Sequence, residues 1–170
     1  MRFETEAPVD DILIATSADG FIAIQAKTSV NLSANPTGEF AKTVRQFVRH
    51  WLACRDGNGA QLWDRPLDPQ RDRLVLAVGS NASASIRSDL SAALRLRIQP
   101  GSPALTQGQT RALTVFETCA EAAWRDTTTK PWTPSIVSEL ARLVHVLTFD
   151  PDGADRRSME TLARTCGGAG

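Results

Sequence analysis

This sequence carries no net charge, because 19 Lys and Arg residues are balanced by 19 Asp and Glu. A contact with nucleic acid must therefore come from a local basic patch rather than from a general field. Cysteine is scarce: Cys54, Cys119 and Cys166 are odd in number and far apart. No second Cys or His stands at zinc-like spacing from any of them, so a disulfide framework and a zinc knuckle are both disfavoured. Reduced thiols in a cytoplasmic protein are the expectation. No window is apolar enough for long enough to span a membrane, and the first residues lack the basic start and hydrophobic stretch of a signal peptide. Also missing are a Ser-His-Asp or Cys-His signature, a glycine-rich phosphate loop with Lys, a dinucleotide fingerprint and any internal repeat.

What is present begins with Asp10-Asp11-Ile12-Leu13-Ile14-Ala15-Thr16, a turn at Ser17-Ala18-Asp19-Gly20, and Phe21-Ile22-Ala23-Ile24-Gln25-Ala26-Lys27. Both runs are nearly continuous in apolar and β-branched residues, which predicts two strands covered on both faces and joined as a hairpin. Side chains alternate along a strand, so Gln25 and Lys27 point one way and Ala26 the other. Folding the hairpin brings Asp11, or Asp10 in a register one residue different, beside that pair. Polar groups at the end of an apolar hairpin are costly unless they pair, bind a metal or face a cleft.

Downstream, Asn35-Pro36-Thr37-Gly38 predicts a turn, with Thr37 capping a helix that runs to about Cys54. Phe40, Val44, Phe47, Val48, Trp51 and Leu52 form its apolar stripe. The other face carries Lys42, Arg45, Gln46, Arg49 and His50, which reads two ways: an ordinary solvated face, or a track for a phosphate backbone. Residues 56–72 read as a loop and Leu74–Gly79 as a buried strand, so strand, helix and strand in series predict a parallel crossover. A helix follows at about Ile86–Leu96, with Ile86, Leu90, Ala93 and Leu94 inward and Arg87, Arg95 and Arg97 outward. After a loop at Pro100–Gln109 come helices at Thr110–Trp124 and Pro134–Arg142, the second capped by Thr133 with Pro134 in its first turn. A strand at Leu143–Phe149, a turn at Asp150–Gly153 and a short polar helix at Ala154–Arg164 close the chain. The length suits one domain.

Asp11 opening one strand and Gln25-Ala26-Lys27 ending the next resemble the signature of the restriction-endonuclease-like nucleases, an acid followed by an acid-x-Lys. Gln in place of the second acid is typical of the Mrr-like branch. The resemblance extends through Thr28–Ser33 and Glu39–Val48 to Arg73–Val78, and is closest to N-terminal double-strand DNA nuclease domains of bacterial antiphage-defence NTPases. It implies an α/β fold: a restriction-endonuclease-like core over residues 1–100, with a mixed sheet of an antiparallel hairpin plus a parallel strand flanked by helices. Residues 101–170 would be a C-terminal α/β extension of the same domain. The family also places a helix before the first strand, often lending a further acid. Here Arg2-Phe3-Glu4-Thr5 already reads as strand, so the chain is expected to be a fragment, followed by an NTPase or sensor region.

The resemblance further implies magnesium- or manganese-dependent hydrolysis of phosphodiesters in double-stranded DNA. Asp11 would be the principal carboxylate ligand, with the Gln25 side-chain oxygen and the Ala26 carbonyl beside it, a hard-oxygen set that suits magnesium. Lys27 would orient or activate the attacking water and offset charge on the phosphoryl oxygens. Gln46 would point toward the site, and Lys42, Arg45 and Arg49 would contact DNA. The alternative is a nuclease-like DNA-binding or assembly module without catalysis. Among other candidates, Asp150, Asp152 and Asp155 place their later acid, Glu160, wrongly for a calcium loop. His145 reads as a core residue. Trp63, Trp124 and Trp132 read as packing residues before base-stacking ones.

Overall fold

The computed structural model describes residues 2–3, 9, 11–16, 19–57, 63–97, 99 and 101–150. Among the described residues five strands form one sheet in chain order: β1 (Arg2–Phe3), β2 (Ile12–Ala15), β3 (Phe21–Lys27), β4 (Arg73–Val78) and β5 (Val144–Thr148). The sheet is mixed. β1 to β3 form an antiparallel meander, and β4 and β5 add in parallel. The fold is therefore α/β, with parallel crossovers made through helices as such pairings require.

The β2–β3 hairpin forms where the apolar runs predict it, with Ile12 opposite Ile24 and Ala15 opposite Phe21. In its turn, Asp19 takes a left-handed φ of 55°, a region that Asp tolerates better than most residues. Thr16 closes the turn: its N–H donates to the Gly20 carbonyl and its Oγ1 accepts from the Gly20 N–H. A Cβ on Gly20 would meet the Arg71 carbonyl at 2.3 Å, so only glycine fits there.

Coverage of the sheet departs from expectation. Leu13, Ala23, Leu74, Leu76, Val78 and Val144 share one face by register, and all belong to a single core with the helices' buried residues. On the other face Ile12, Ile14, Ile22 and Ile24 are only half-buried, and Leu147 is 53% exposed. The apolar runs reflected strand formation, not burial on both sides.

Helix α1 (Glu39–Arg55) crosses from β3 to β4 and buries the expected stripe from Phe40 to Leu52. Its cap differs: Gly38, which has no side chain to bond, is the N-cap, and the Thr37 N–H and hydroxyl both donate to Asn35 Oδ1. His50 is 1% exposed and does not belong to the basic face. Its ring stacks on Trp63, 5.4 Å between centroids, so the loop before β4 covers this side of α1.

A π-helical segment (Ser85–Leu90) runs directly into α2 (Ser91–Arg97), and Ile86, Leu90, Ala93 and Leu94 are buried as the spacing predicts. Helix α3 spans Gln107–Thr127, starting a turn earlier than expected because Thr106 and Gln109 form a reciprocal capping box. Helix α4 (Pro134–Leu143) has Thr133 as N-cap by backbone and Pro at its start, but the Thr133 hydroxyl bonds to Ser135 Oγ rather than to a helix N–H. Trp124 lies inside α3 and is 1% exposed; Trp51 and Trp132 pack against it. Packing thus accounts for Trp124 and Trp132. Among the described residues, no helix is long and apolar enough to cross a membrane. Asp10, the helix expected at Ala154–Arg164 and the acids Asp152, Asp155 and Glu160 lie outside the described residues.

Candidate functional site

The candidate site lies at the carboxyl end of β3, where an antiparallel neighbour stands on one side and a parallel one on the other. One residue beyond the Ile12 and Ile24 pair, the register sets Asp11 opposite Gln25. Gln25 is 2% exposed. Its Nε2 donates to Asp11 Oδ2, and the Ala26 N–H donates to the same oxygen at 2.7 Å. A carboxylate side chain here takes the place of a ladder partner.

This arrangement follows from local geometry. The N–H and C=O of one strand residue face the same neighbouring strand. Since the Ala26 N–H faces Asp11, the Ala26 carbonyl opens on the same side. The backbone of Lys27 faces the other way, and its carbonyl accepts from the Gly79 N–H at 3.0 Å. The chains leave β3 and β4 in close contact, since a Cβ on Gly79 would meet the Thr28 carbonyl at 2.6 Å.

A divalent cation fits the donors present. A carboxylate only accepts hydrogen bonds, so the Gln25 amide must turn its nitrogen toward Asp11, and its oxygen is left over. That oxygen, Gln25 Oε1, is buried without a hydrogen-bond partner. An orphaned amide oxygen and a carboxylate are hard donors of the kind magnesium takes. Both bonds given to Asp11 fall on Oδ2. Asp11 Oδ1, Gln25 Oε1 and the Ala26 carbonyl are the atoms that could hold the ion. Among the described residues, no three His, Cys, Asp or Glu side chains gather at metal-binding distance. Among the described residues, the set has one carboxylate, Asp11, and neutral oxygens.

Lys27 does not join Asp11 in an ion pair. Its Nζ lies 3.5 Å from Glu39 Oε2, at the first residue of α1, while Glu39 Oε1 accepts from Lys42 Nζ at 2.7 Å. The hydrogen bond and charge of Lys42, then the charge of Lys27, hold the Glu39 carboxyl below its usual range. Sequence reasoning missed Glu39, although an acid opening the helix after β3 stands at the same end of the sheet as Lys27.

Of the basic face, Lys42, Arg45 and Arg49 occupy neighbouring positions along α1, spaced i, i+3 and i+7. Arg49 is exposed, Lys42 is bound to Glu39, and Arg45 lies 3.9 Å from Asp126. Gln46 is half-buried and follows Glu39 by two helical turns.

A second polar cluster sits at the opposite end of β3 and was not expected. Asp72 is fully buried and accepts from the Phe21 and Asp68 N–H groups and from both terminal nitrogens of Arg65. Burial pushes its carboxyl up, but Arg65 and the two N–H groups outweigh that and hold it below its usual value. Arg65 also donates to the Asp19 carbonyl and lies over the Phe21 ring. The cluster ties the loop before β4 to the hairpin turn. Nearby, burial lowers His50 to about 4 and raises the Cys54 thiol to about 12. Cys119 is likewise raised, to about 11, so both buried thiols are poor nucleophiles. His145 is half-buried in β5 with Nε2 unpartnered. No family model matches this sequence, and no curated protein or solved structure matches it.

Proposed function

We propose that this chain is a metal-dependent endonuclease that hydrolyses phosphodiesters in double-stranded DNA, on a restriction-endonuclease-like core with a C-terminal extension. The observation that carries the reading is the clamp of Asp11 by Gln25 and the Ala26 N–H, with Lys27 the next residue along β3. A carboxylate, an orphaned amide oxygen and an ammonium are thus set at one end of one hairpin. A bound magnesium or manganese ion supplies Lewis acidity at the phosphoryl oxygens. Gln25 and the Ala26 N–H fix the rotamer of Asp11, so its second oxygen faces the site without reorganisation. Lys27 offsets negative charge on the phosphoryl group and orients water for attack. Lys42, Arg45 and Arg49 extend positive charge along α1 and suit a phosphate backbone, a sequence-independent contact. By the resemblance, the domain acts as an effector in bacterial antiphage defence, coupled to an NTPase or sensor region.

A second reading, a DNA-binding or assembly module without catalysis, is favoured by one feature: among the described residues a single carboxylate, Asp11, meets the Gln25 amide. Neutral Gln, where many of the nucleases it resembles carry an acid, weakens metal affinity. Magnesium-dependent cleavage of duplex plasmid, lost in Lys27→Ala, separates the two.

A further inference from the structure

Lys27 leaves β3 one residue after the N–H that holds Asp11, yet the carboxylate beside it comes from neither strand of the hairpin. We propose that Glu39 is the positioning residue for Lys27, fixing its ammonium at the carboxyl end of β3 where the reaction would occur. The inference rests on the reading of Lys27 as a working group of a phosphodiester-cleaving site.

A lysine stem is long and freely rotating, so a Lys that must meet a phosphoryl group needs something to hold its head group. The fold places Glu39 within reach of Lys27. It is the first residue of α1, directly after the Gly38 N-cap, where the unpaired N–H groups and dipole of the helix favour a carboxylate. Its two oxygens are divided between two ammonium groups. Oε1 is braced by Lys42 from the next turn at 2.7 Å, and Oε2 lies 3.5 Å from Lys27. With Lys42 and Lys27 both favouring the charged form, the carboxylate stays ionised at neutral pH.

The exposures suit a positioning role. The side chain of Lys27 is 25% exposed and that of Glu39 48%, so the stem is mostly enclosed while the pair opens to water at its rim. Two consecutive residues of β3 thereby anchor both charged partners: the Ala26 N–H holds Asp11, and Lys27 is held by Glu39. Lys42 acts on Glu39, not on Lys27, and also stands first in the basic row of α1.

The test uses the full chain as wild type, Glu39→Gln, Glu39→Asp and Lys42→Ala, with magnesium and supercoiled plasmid. Glu39→Gln is expected to lower kcat about ten-fold or more while KM stays within about two-fold, the pattern of a misplaced catalytic group. Glu39→Asp, which keeps the charge, restores part of kcat. Lys42→Ala raises KM more than it lowers kcat. A readout independent of cleavage is the Lys27 side-chain NMR resonance, assigned with Lys27→Arg. In Glu39→Gln it is expected to move toward the position of the freely exposed lysines. An unmoved Lys27 resonance in folded Glu39→Gln, or a kcat unchanged from wild type, would overturn the proposal. If wild type cuts nothing, the nuclease reading fails, and the resonance alone still decides whether Glu39 holds Lys27.

Discussion

The buried amide of Gln25 and the carboxylate of Asp11 face each other across the β2–β3 hairpin, and the Asp11 oxygen that accepts from Gln25 also accepts the Ala26 N–H at 2.7 Å. A donor at position 25 is what makes this contact attractive. Replacing it with Glu puts two carboxylates side by side, and one must be protonated or neutralised by a cation. Gln25→Glu is therefore expected to lose roughly 2–4 kcal/mol of stability in EDTA. Magnesium at ten times the variant's Kd should return about 1.4 kcal/mol to the variant, and less to wild type, where neutral Gln25 makes a weaker ligand. Thermal melts across a magnesium titration check this; a variant that gains no more than wild type would show that the group at position 25 does not strengthen ion binding.

Asp11→Asn keeps the size of the side chain and removes its charge. The Ala26 N–H retains an oxygen acceptor, so the expected stability loss is about 1–2 kcal/mol, that of weakening charge-assisted hydrogen bonds. Cleavage, in contrast, should fall at least about a hundred-fold. Urea denaturation beside a plasmid assay reads both. A variant that unfolds would show Asp11 to be a structural residue instead.

His50 gives the fold a pH dependence that its sequence neighbours conceal. It is buried against Trp63, and burial lowers it from an ordinary 6.5 to about 4. Below 6.5 the unfolded chain binds a proton that the folded chain refuses, so stability falls as pH drops from 6.5 to about 4 and then levels. The interval is worth about 3 kcal/mol from this residue. Urea midpoints measured across that range should show the slope in wild type and a flatter one in His50→Leu.

Asp72 is the anchor of the other end of the sheet. Asp72→Ala leaves the Arg65 guanidinium and the Phe21 N–H without their shared acceptor, at an expected cost of about 3 kcal/mol. Its carboxyl is held below its usual value of 3.8, so the stability it contributes is present above that pH and lost as pH falls further. Acid unfolding of wild type against Asp72→Ala measures the contribution, and coincident transitions would contradict it.

The parts legible in the sequence were those set by local pattern. Alternating and continuous apolar runs placed β2, β3, β4 and β5, and the 3.6-residue stripe from Phe40 to Leu52 placed α1 and its buried face. The strand ends brought Asp11 or Asp10 beside Gln25, and the register of the hairpin selects Asp11. What escaped depends on contacts far apart in sequence or on competition between neighbours. His50 sits on the border of the α1 stripe, and only the loop carrying Trp63 decides that it is buried. Thr37 stands one residue before the N-cap, with its N–H and hydroxyl both donating to Asn35 Oδ1. Lys27 finds Glu39 rather than Asp11 because the connection after β3 returns the start of α1 to the same end of the sheet. The half-buried row of Ile12, Ile14, Ile22 and Ile24 shows that β-branched composition reports strand preference more directly than it reports cover.

The most direct test of the account is incubation of the purified chain with supercoiled plasmid and magnesium, beside Lys27→Ala, Asp11→Asn and an EDTA control. Nicked or linear product that needs magnesium and disappears in both variants is the expected result. A folded wild-type protein that leaves the plasmid intact, or folded variants that cut as fast as wild type, would contradict the assignment of a nuclease site to Asp11, Gln25 and Lys27.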